Sequence, residues 1–372
     1  MLSSSTTWLP DSPAFLELHP NDVRWYSVGD FHRFLSIIDV SHATDLSDEF
    51  TNLFQDVEQV FKLDTHHSAP FGFYRFQTSS SHSDYFIKIV QLQQAKRQRV
   101  ADQVSSWLRQ EGINTPVMHA DKSVSISDQI EWLSYDHVKG GFCLPTMENM
   151  ALLGSEIAQL HNVLQHYPKV DEVQQLGLQR HDMLKAQFQQ FKTDLSLQQQ
   201  LPHEVTELML NYEISDFDVL IENAQMVHGD LNQGNVWFVS HSQATDEVYF
   251  LDFEDSLTAW FNPLAELAFV FERFILIDEN VECHELGVTL FTEYLKQRSS
   301  ESVTAFKQPR DLSKNLQALA MRALLLLLQI SQKKQLPLSD EWKKFVFLFN
   351  LSTQKQNEIE NILCKANQQA SI

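Results

Sequence analysis

Three cysteines in 372 residues, Cys143, Cys283 and Cys364, are too few and too scattered for a disulfide framework or a zinc site. None stands in a Cys-x-x-Cys pair, and a reducing cytoplasm is the expected compartment. Basic residues are also scarce. With 28 Lys and Arg against 49 Asp and Glu the net charge is −21, so neither nucleic acid nor an anionic membrane is an expected partner. Such acidity suits a cationic ligand if it gathers around a cleft, and solubility accounts for it equally well. Long apolar runs are missing too: the strongest, Ala323 to Leu328, is far too short to span a bilayer and reads as a buried helix. Met1 to Thr7 shows no basic region followed by an apolar core, so no signal peptide is expected. Repeats and long low-complexity segments are absent. What remains is an ordinary globular composition, 43% hydrophobic and 21% charged, long enough for one large or two medium domains.

One stretch organises the chain. From Met226 it reads Met-Val-His-Gly-Asp-Leu-Asn-Gln-Gly-Asn-Val-Trp-Phe, and after a polar interval Val-Tyr-Phe-Leu-Asp-Phe-Glu-Asp up to Asp255. The apolar runs Val236 to Val239 and Val248 to Leu251 are β-branched and aromatic, and Ser240 to Glu247 between them is polar apart from Ala244, a β-hairpin with a longer loop. Folding it brings its open ends together, so Asp230, Asn235 and Asp252 are expected to converge. Two carboxylates and an amide are hard oxygen donors that suit Mg²⁺, which keeps waters and substrate phosphates in its shell.

His228-Gly229-Asp230 with Asn235 five residues on, followed by Asp252-Phe253-Glu254, resembles the catalytic and metal-binding segments of the aminoglycoside phosphotransferase and choline kinase group. The resemblance implies an α+β, protein-kinase-like bilobal fold: a small β-rich N-lobe with one long helix and a larger, mostly helical C-lobe. It implies ATP and Mg²⁺ as cofactors and transfer of the γ-phosphate to a hydroxyl of a small molecule. Asp230 is then the catalytic group that receives the hydroxyl proton, and Asn235 and Asp252 are the metal ligands. The domain division this suggests is an N-terminal extension over 1–64, a nucleotide-binding N-lobe over 65–139 and a C-lobe over 140–372.

Along the chain, Pro10, Pro13 and Pro20 break the start, while Trp8, Phe15, Leu16, Trp25 and Tyr26 are too apolar for a free tail. Phe31 to Ile38 reads as helix or strand. Phe71 to Phe76 and Tyr85 to Val90 read as strands around the Ser-rich turn Thr78 to Ser83, with only Gly72 where protein kinases carry a glycine-rich loop. Lys88 lies inside the apolar run Phe86-Ile87-Lys88-Ile89-Val90, where a charge needs a partner or a ligand; by resemblance it contacts the nucleotide phosphates. A helix follows over about Gln93 to Gln110. Aligning its Trp107-Leu108 end with the group's usual Trp-Leu puts Ala101 where a glutamate partner for Lys88 is expected, with Asp102 the nearest acid. Ile130 to Leu133 reads as the last N-lobe strand and Tyr135 to Gly141 as the hinge, so Tyr135, Asp136 and His137 are the expected adenine-binding positions, acting through backbone groups.

Glu148 to Tyr167 is a strongly amphipathic helix, with His161 a packed residue within it. Helical stretches between Lys169 and Asp218 are expected to shape the acceptor pocket. Pro263-Leu264-Ala265-Glu266-Leu267-Ala268 resembles the group's Pro-x-x-Asp-Leu-Ala, an acid that braces the active-site segments. Helices are expected over Glu266 to Ile277, His284 to Gln297, Ser313 to Lys333, Ser339 to Asn350 and Thr353 to Lys365. The net charge tilts the acceptor towards an amine-bearing compound such as an aminoglycoside or amino alcohol. A catalytically weak or inactive pseudokinase with a binding role is the second reading: the missing helix glutamate and thin glycine loop favour it, and intact Asp230, Asn235 and Asp252 oppose it. Lack of an Ala-Pro-Glu segment argues against a protein kinase.

Overall fold

The computed structural model describes residues 25–37, 53–63, 70–79, 84–240, 246–277, 283–298 and 310–371. Trp8, Pro10, Pro13, Phe15, Leu16 and Pro20, residues 80–83 of the Ser-rich turn and residues 241–245 of the hairpin loop lie outside them. Contacts divide the chain into two compact units. One holds the described residues up to Phe142 together with Gly234–Glu254, and the other holds Cys143–Gln233 and the described residues from Asp255 on.

The first unit is built on an antiparallel sheet. Its strands are β1 (Trp25–Gly29), β2 (Val57–Leu63), β3 (Gly72–Thr78), β4 (Tyr85–Gln91), β5 (Met118–Ser127) and β6 (Ile130–Asp136), in the order β1-β2-β3-β4-β6-β5. Period-two alternation sets the faces: in β3, Tyr74 and Phe76 are buried while Phe73, Arg75 and Gln77 are only partly covered. Helix α1 (Phe31–Ile37) inserts Phe31 and Phe34 among Phe54, Phe76 and Trp132, with ring centroids 5.0–6.4 Å apart. Aromatic contacts of this kind are worth about 0.5–1.5 kcal/mol each beyond area burial, so the stretch before residue 64 supplies strands and core rather than a loose appendage. Helix α2 (Leu92–Gln110) follows β4 without a loop, buries Ala95, Ala101, Val104 and Leu108, and is tied to β6 by Arg99 and Glu131, 2.6 Å apart.

Two differences from the sequence reading lie here. Strand β6 runs on to Asp136 because Tyr135 and Asp136 pair with Phe86 and Tyr85 of β4, so the chain leaves the sheet only after the expected hinge has begun. Strand β5 (His-Ala-Asp-Lys-Ser within it) is too polar to announce itself; it is an edge strand. The hairpin is as expected: β9 (Val236–Val239) pairs with β10 (Glu247–Phe250), and β7 (Gly141–Phe142) lies along β9.

The second unit is mainly helical. It comprises α3 (Met147–Leu164), α4 (Val170–Thr193), α5 (Leu195–Gln198), α6 (His203–Asn211), α7 (Pro263–Phe271), α8 (Cys283–Gln297), α9 (Arg310–Lys334), α10 (Trp342–Gln354) and α11 (Gln356–Ala370). A two-stranded ribbon of β8 (Gln225–Met226) and β11 (Trp260–Phe261) lies among them. Thr146 caps α3 by accepting from the Asn149 N–H (3.2 Å), and Asn262 caps α7 by accepting from Leu264 (2.9 Å) with Pro263 at the first helical position. Helix α7 is buried apart from Phe269, and Glu266 is the one charged residue among its apolar ones. It continues as a π-helical turn, Glu272–Leu276, where an unbroken α-helix to Ile277 was expected. In α9 Leu324, Leu325 and Leu328 pack into a core with Phe188 and Phe217; among the described residues no helix is long and apolar enough to cross a membrane.

Gly154 marks where α3 and α8 touch backbone to backbone, since a Cβ there would run into the Leu290 carbonyl. Alanine gains up to about 1 kcal/mol of helix propensity, but forcing two packed helices apart costs about 1–3 kcal/mol. Gly154→Ala is therefore expected to lower stability by about 1–2 kcal/mol in denaturant unfolding; an unchanged midpoint would show that the helices do not meet at this point.

Candidate active site

In the sheet unit a cavity of about 270 Å³ opens between β4, β6, α2 and the hairpin. Lys88 is the charge in its wall. Its neighbours on β4 are apolar, and its side chain is only 11% exposed, so it takes three partners. Nζ lies 3.0 Å from Asp252 Oδ2 and 3.3 Å from Gln98 Oε1, and 5.6 Å above the Tyr135 ring. Gln98 ties the group together. Its Oε1 also accepts from the Tyr135 hydroxyl (2.9 Å), while its Nε2 donates to Asp252 Oδ1 (3.4 Å) and to Glu254. Arg97 closes the far side on Glu254, with its Nε 3.6 Å from Oε2 and its Nη2 donating to the backbone oxygen at 3.0 Å.

The expected helix partner of Lys88 is thus corrected. Gln98 fills the place assigned to Ala101, one turn earlier on the same face, because α2 starts at Leu92 directly from the strand. Ala101, Asp102 and Ser105 line the cavity further along. Asp102 does not reach Lys88; its Oδ1 is buried with no hydrogen-bond partner among the described residues, and burial raises its pKa against the pull of Arg109. The signal that could have found Gln98 is a polar residue, buried with Ala95 and Ala101, in the second turn of a helix that follows the lysine strand.

Asn235 and Asp252 line the same cavity. The hairpin brings them there: Val236 pairs with Phe250, and Leu251 N–H donates to the Asn235 oxygen at 2.9 Å. Asp252 has φ +61°, a left-handed backbone that costs a non-glycine residue about 1 kcal/mol or more and turns its carboxylate away from the strand path. A carboxylate and an amide oxygen suit a hard divalent cation that keeps water and phosphate ligands. Among the described residues no group of three or more His, Cys, Asp and Glu forms a closed metal site.

Tyr135, Asp136 and His137 border the cavity. The Asp136 and His137 N–H groups are already donated, to the Val117 and Asp84 oxygens at 2.9 and 3.0 Å. Asp136 Oδ1 is 2.6 Å from His119 Nε2. Burial, helped by Arg75, lowers the His137 pKa to about 4, so the ring is neutral. Trp25, Phe73 and Phe86 add an aromatic wall, with Phe73 and Phe86 stacked at 5.9 Å.

Asp230 belongs to the helical unit, in the loop that follows β8. Glu266 on α7 organises this loop: its carboxylate accepts the His228 N–H at 3.0 Å and the Gly229 N–H. Gly229 has φ +90° and no room for a Cβ against Ala259. His161 Nε2 lies 2.8 Å from Glu266 Oε2 and its Nδ1 2.8 Å from the Tyr294 hydroxyl. Burial lowers the His161 pKa. The network therefore assigns a neutral ring that donates from Nε2 and accepts at Nδ1. Burial alone would raise the Glu266 carboxyl, but the hydrogen bonds from the His161 ring and the Gly229 N–H hold it below its ordinary value. Asp230 is then fixed at both ends: its N–H points to His228 Nδ1 (3.3 Å), and its Oδ2 accepts from the Asn232 amide (3.0 Å).

With this geometry in place, the chain can be set beside known proteins. A profile of the phosphotransferase enzyme family matches residues 67–297, more than half of the chain. No curated protein matches it by sequence. Among solved structures, the GDP and kanamycin complex of APH(2")-IIia is 13% identical with a TM-score of 0.50, covering 84% of this chain and 99% of that one. An aminoglycoside phosphotransferase from Alicyclobacillus acidocaldarius is 14% identical with a TM-score of 0.47, covering 85% and 93%. An ethanolamine kinase from Plasmodium vivax is 12% identical with a TM-score of 0.47, covering 77% and 80%. At this identity the first likeness speaks to fold: the α+β, protein-kinase-like architecture expected from the motifs, with its antiparallel sheet and its mainly helical part.

The neutral amide of Gln98 separates Asp252 from Glu254, whose carboxyl is already raised by burial and by Asp252. Gln98→Glu puts a third carboxylate there. A carboxyl with a raised folded-state pKa loses stability as pH rises, so the variant is expected to be about 1–2 kcal/mol less stable near neutral pH and closer to the parent in mild acid. Denaturant unfolding at both pH values reads this, and an equal penalty at both would show that the amide's role is not electrostatic.

Proposed function

Because this chain belongs to the phosphotransferase enzyme family, we propose that it moves the γ-phosphoryl group of ATP to a hydroxyl of a small molecule, with Mg²⁺ bound. The observation that carries this reading is the Lys88, Gln98 and Asp252 cluster in the wall of a cavity that Asn235 also lines. Phosphoryl transfer needs positioned charge more than a reactive side chain, and that is what the cluster offers. Lys88 would hold the phosphates, kept in place by Gln98 and by the carboxylate it shares. Gln98 braces the lysine where a glutamate is missing, which speaks against the inactive reading.

Asp252 and Asn235 would be the protein's ligands to Mg²⁺, which when bound neutralises phosphate charge. Trp25, Phe73 and Phe86 offer a flat base an apolar wall. Since the N–H groups of Asp136 and His137 are engaged, backbone reading of the base would fall to the chain from Val138 on. Asp230 would orient the acceptor hydroxyl and take its proton. The acceptor oxygen–phosphorus bond forms while the γ-phosphorus bond to the β-phosphate oxygen breaks, giving ADP and a phosphate ester. His228 and Asn232 hold Asp230 in one orientation for this role, and such pre-positioning is where much of the rate comes from. The free thiols of Cys143, Cys283 and Cys364 fit a reducing cytoplasm.

Calorimetric titration of ATP with and without Mg²⁺ tests the nucleotide site, and metal-dependent binding is the expected result. Absence of binding in both conditions would overturn the reading. Asp230→Asn is expected to lower turnover about 10²–10⁴-fold while ATP affinity stays within a few-fold. Unchanged turnover with weakened ATP binding would remove Asp230 from the proton-accepting role.

A further inference from the structure

The helical unit contains a second cavity, of about 80 Å³, that nothing above uses. Gly229 of the catalytic loop lines it, with Phe261, Glu272, Arg273 and Arg322. Its charges can be settled one by one. Glu266 at its edge is fully engaged by His161 and two backbone N–H groups. Glu272 and Arg273 pair with each other at 3.2 Å, and Arg273 lies 4.8 Å over the Phe269 ring.

Arg322, partly buried on α9, is what is left over. It lies 5.0 Å above the Phe261 ring, yet it makes no hydrogen bond or ion pair with any described residue. Arg322 lines the cavity, and among the described residues its five N–H donors have no hydrogen-bond acceptor. Three further charges act on it from a distance: Arg180 repels it, and Asp255 and Asp230 attract it without reaching ion-pair range. Burial and Arg180 lower its pKa to about 10, as burial does for Arg273 in the same wall, so what sets Arg322 apart is that no described residue forms an ion pair with it. A guanidinium is rarely left in that state. One kept so beside the residue that receives the substrate proton has the properties of a binding group.

We propose that Arg322 is the recognition group for the acceptor, and that the hydroxyl compound phosphorylated here carries a carboxylate seated in this cavity. The inference rests on the phosphotransferase reading for its site but on Arg322 for its chemistry. A planar carboxylate matches the guanidinium fork through two parallel N–H···O bonds. A single charge suits the place, because one uncompensated cation offsets one negative charge, and a dianion would meet more repulsion from Asp230 and Asp255. The volume holds a carboxylate and its carbon, with the rest of the acceptor outside. This reverses the expectation drawn from the net charge of −21, because the chain's overall sign says nothing about the one unpaired group that faces the cavity.

The test is thermal unfolding of the nucleotide-free protein with millimolar glycerate, glycerol or inorganic phosphate, so that failure to bind ATP is read separately and cannot be mistaken for failure here. Glycerate is expected to raise the melting temperature saturably, glycerol not to, and phosphate to do so less. Arg322→Met, which keeps the stem over Phe261, is expected to weaken glycerate about tenfold or more without lowering its own melting temperature. Arg322→Lys, with the charge but not the fork, is expected to fall between. Equal effects of glycerate and glycerol, glycerate binding retained in Arg322→Met, or phosphate outdoing glycerate would each overturn the proposal. So would a melting temperature lowered by Arg322→Met, since that is the behaviour of a structural counter-ion to Asp230 and Asp255.

Discussion

A single buried carboxylate carries the helical unit's candidate site. Removing an ion from water costs several kcal/mol, and Glu266 is almost wholly buried. It stays charged because three hydrogen bonds meet it, two from loop N–H groups and one from the His161 ring, which Tyr294 in turn holds from behind. The arrangement couples three distant stretches of chain. If the carboxylate were lost, the N–H groups of His228 and Gly229 would be buried without partners, at about 1–3 kcal/mol each, and the loop that presents Asp230 would have no reason to keep its left-handed turn at Gly229. Asn262 caps α7 and Pro263 starts it, which places Glu266 against the loop.

The sheet unit solves a similar problem differently. Lys88, Asp252, Glu254 and Arg97 are two cations and two anions around one amide. Gln98 is the useful residue here because an amide both accepts and donates. It gives Lys88 an oxygen and gives two carboxylates a hydrogen-bond donor, a combination that a glutamate cannot provide. The cluster is nearly neutral and internally bonded before any ligand arrives. Its members are therefore held in fixed directions, and a phosphate or cation meets groups that need little reordering.

What was legible in the sequence follows from how local each signal is. The hairpin, with Asn235 and Asp252 at its open end, could be read because alternation, a polar loop and short fixed spacings lie within thirty or so residues. The amphipathic α3 was equally plain from its period. Gln98 was not legible, because the face of α2 that meets Lys88 depends on where the helix leaves the sheet; aligning its Trp107-Leu108 end found the right face and the wrong turn. The polar edge strand β5 carries almost no alternation, and β6 outran its apolar core because pairing with β4, not hydrophobicity, sets its end. The π turn after α7 has no sequence signature at all. Arg322 is the extreme case. On a helix it is one more basic residue; only packing against Phe261 and the absence of an ion pair with any described residue give it meaning.

Left-handed backbone at Asp252 joins these strands of argument. A strained residue persists only where its surroundings over-determine it. At Asp252 the hairpin ladder fixes the chain before it, through Phe250 and Leu251, and Lys88 and Gln98 fix the side chain after the turn. Relaxing the backbone would swing the carboxylate off the strand-borne lysine and out of the cavity that Asn235 lines. The strain, about 1 kcal/mol or more, is thus offset by one ion pair and one hydrogen bond made by the same side chain. It is also why a four-residue hairpin strand, weak on its own, is sufficient to aim the Asp252 carboxylate: the ladder supplies direction and the charge cluster supplies the hold.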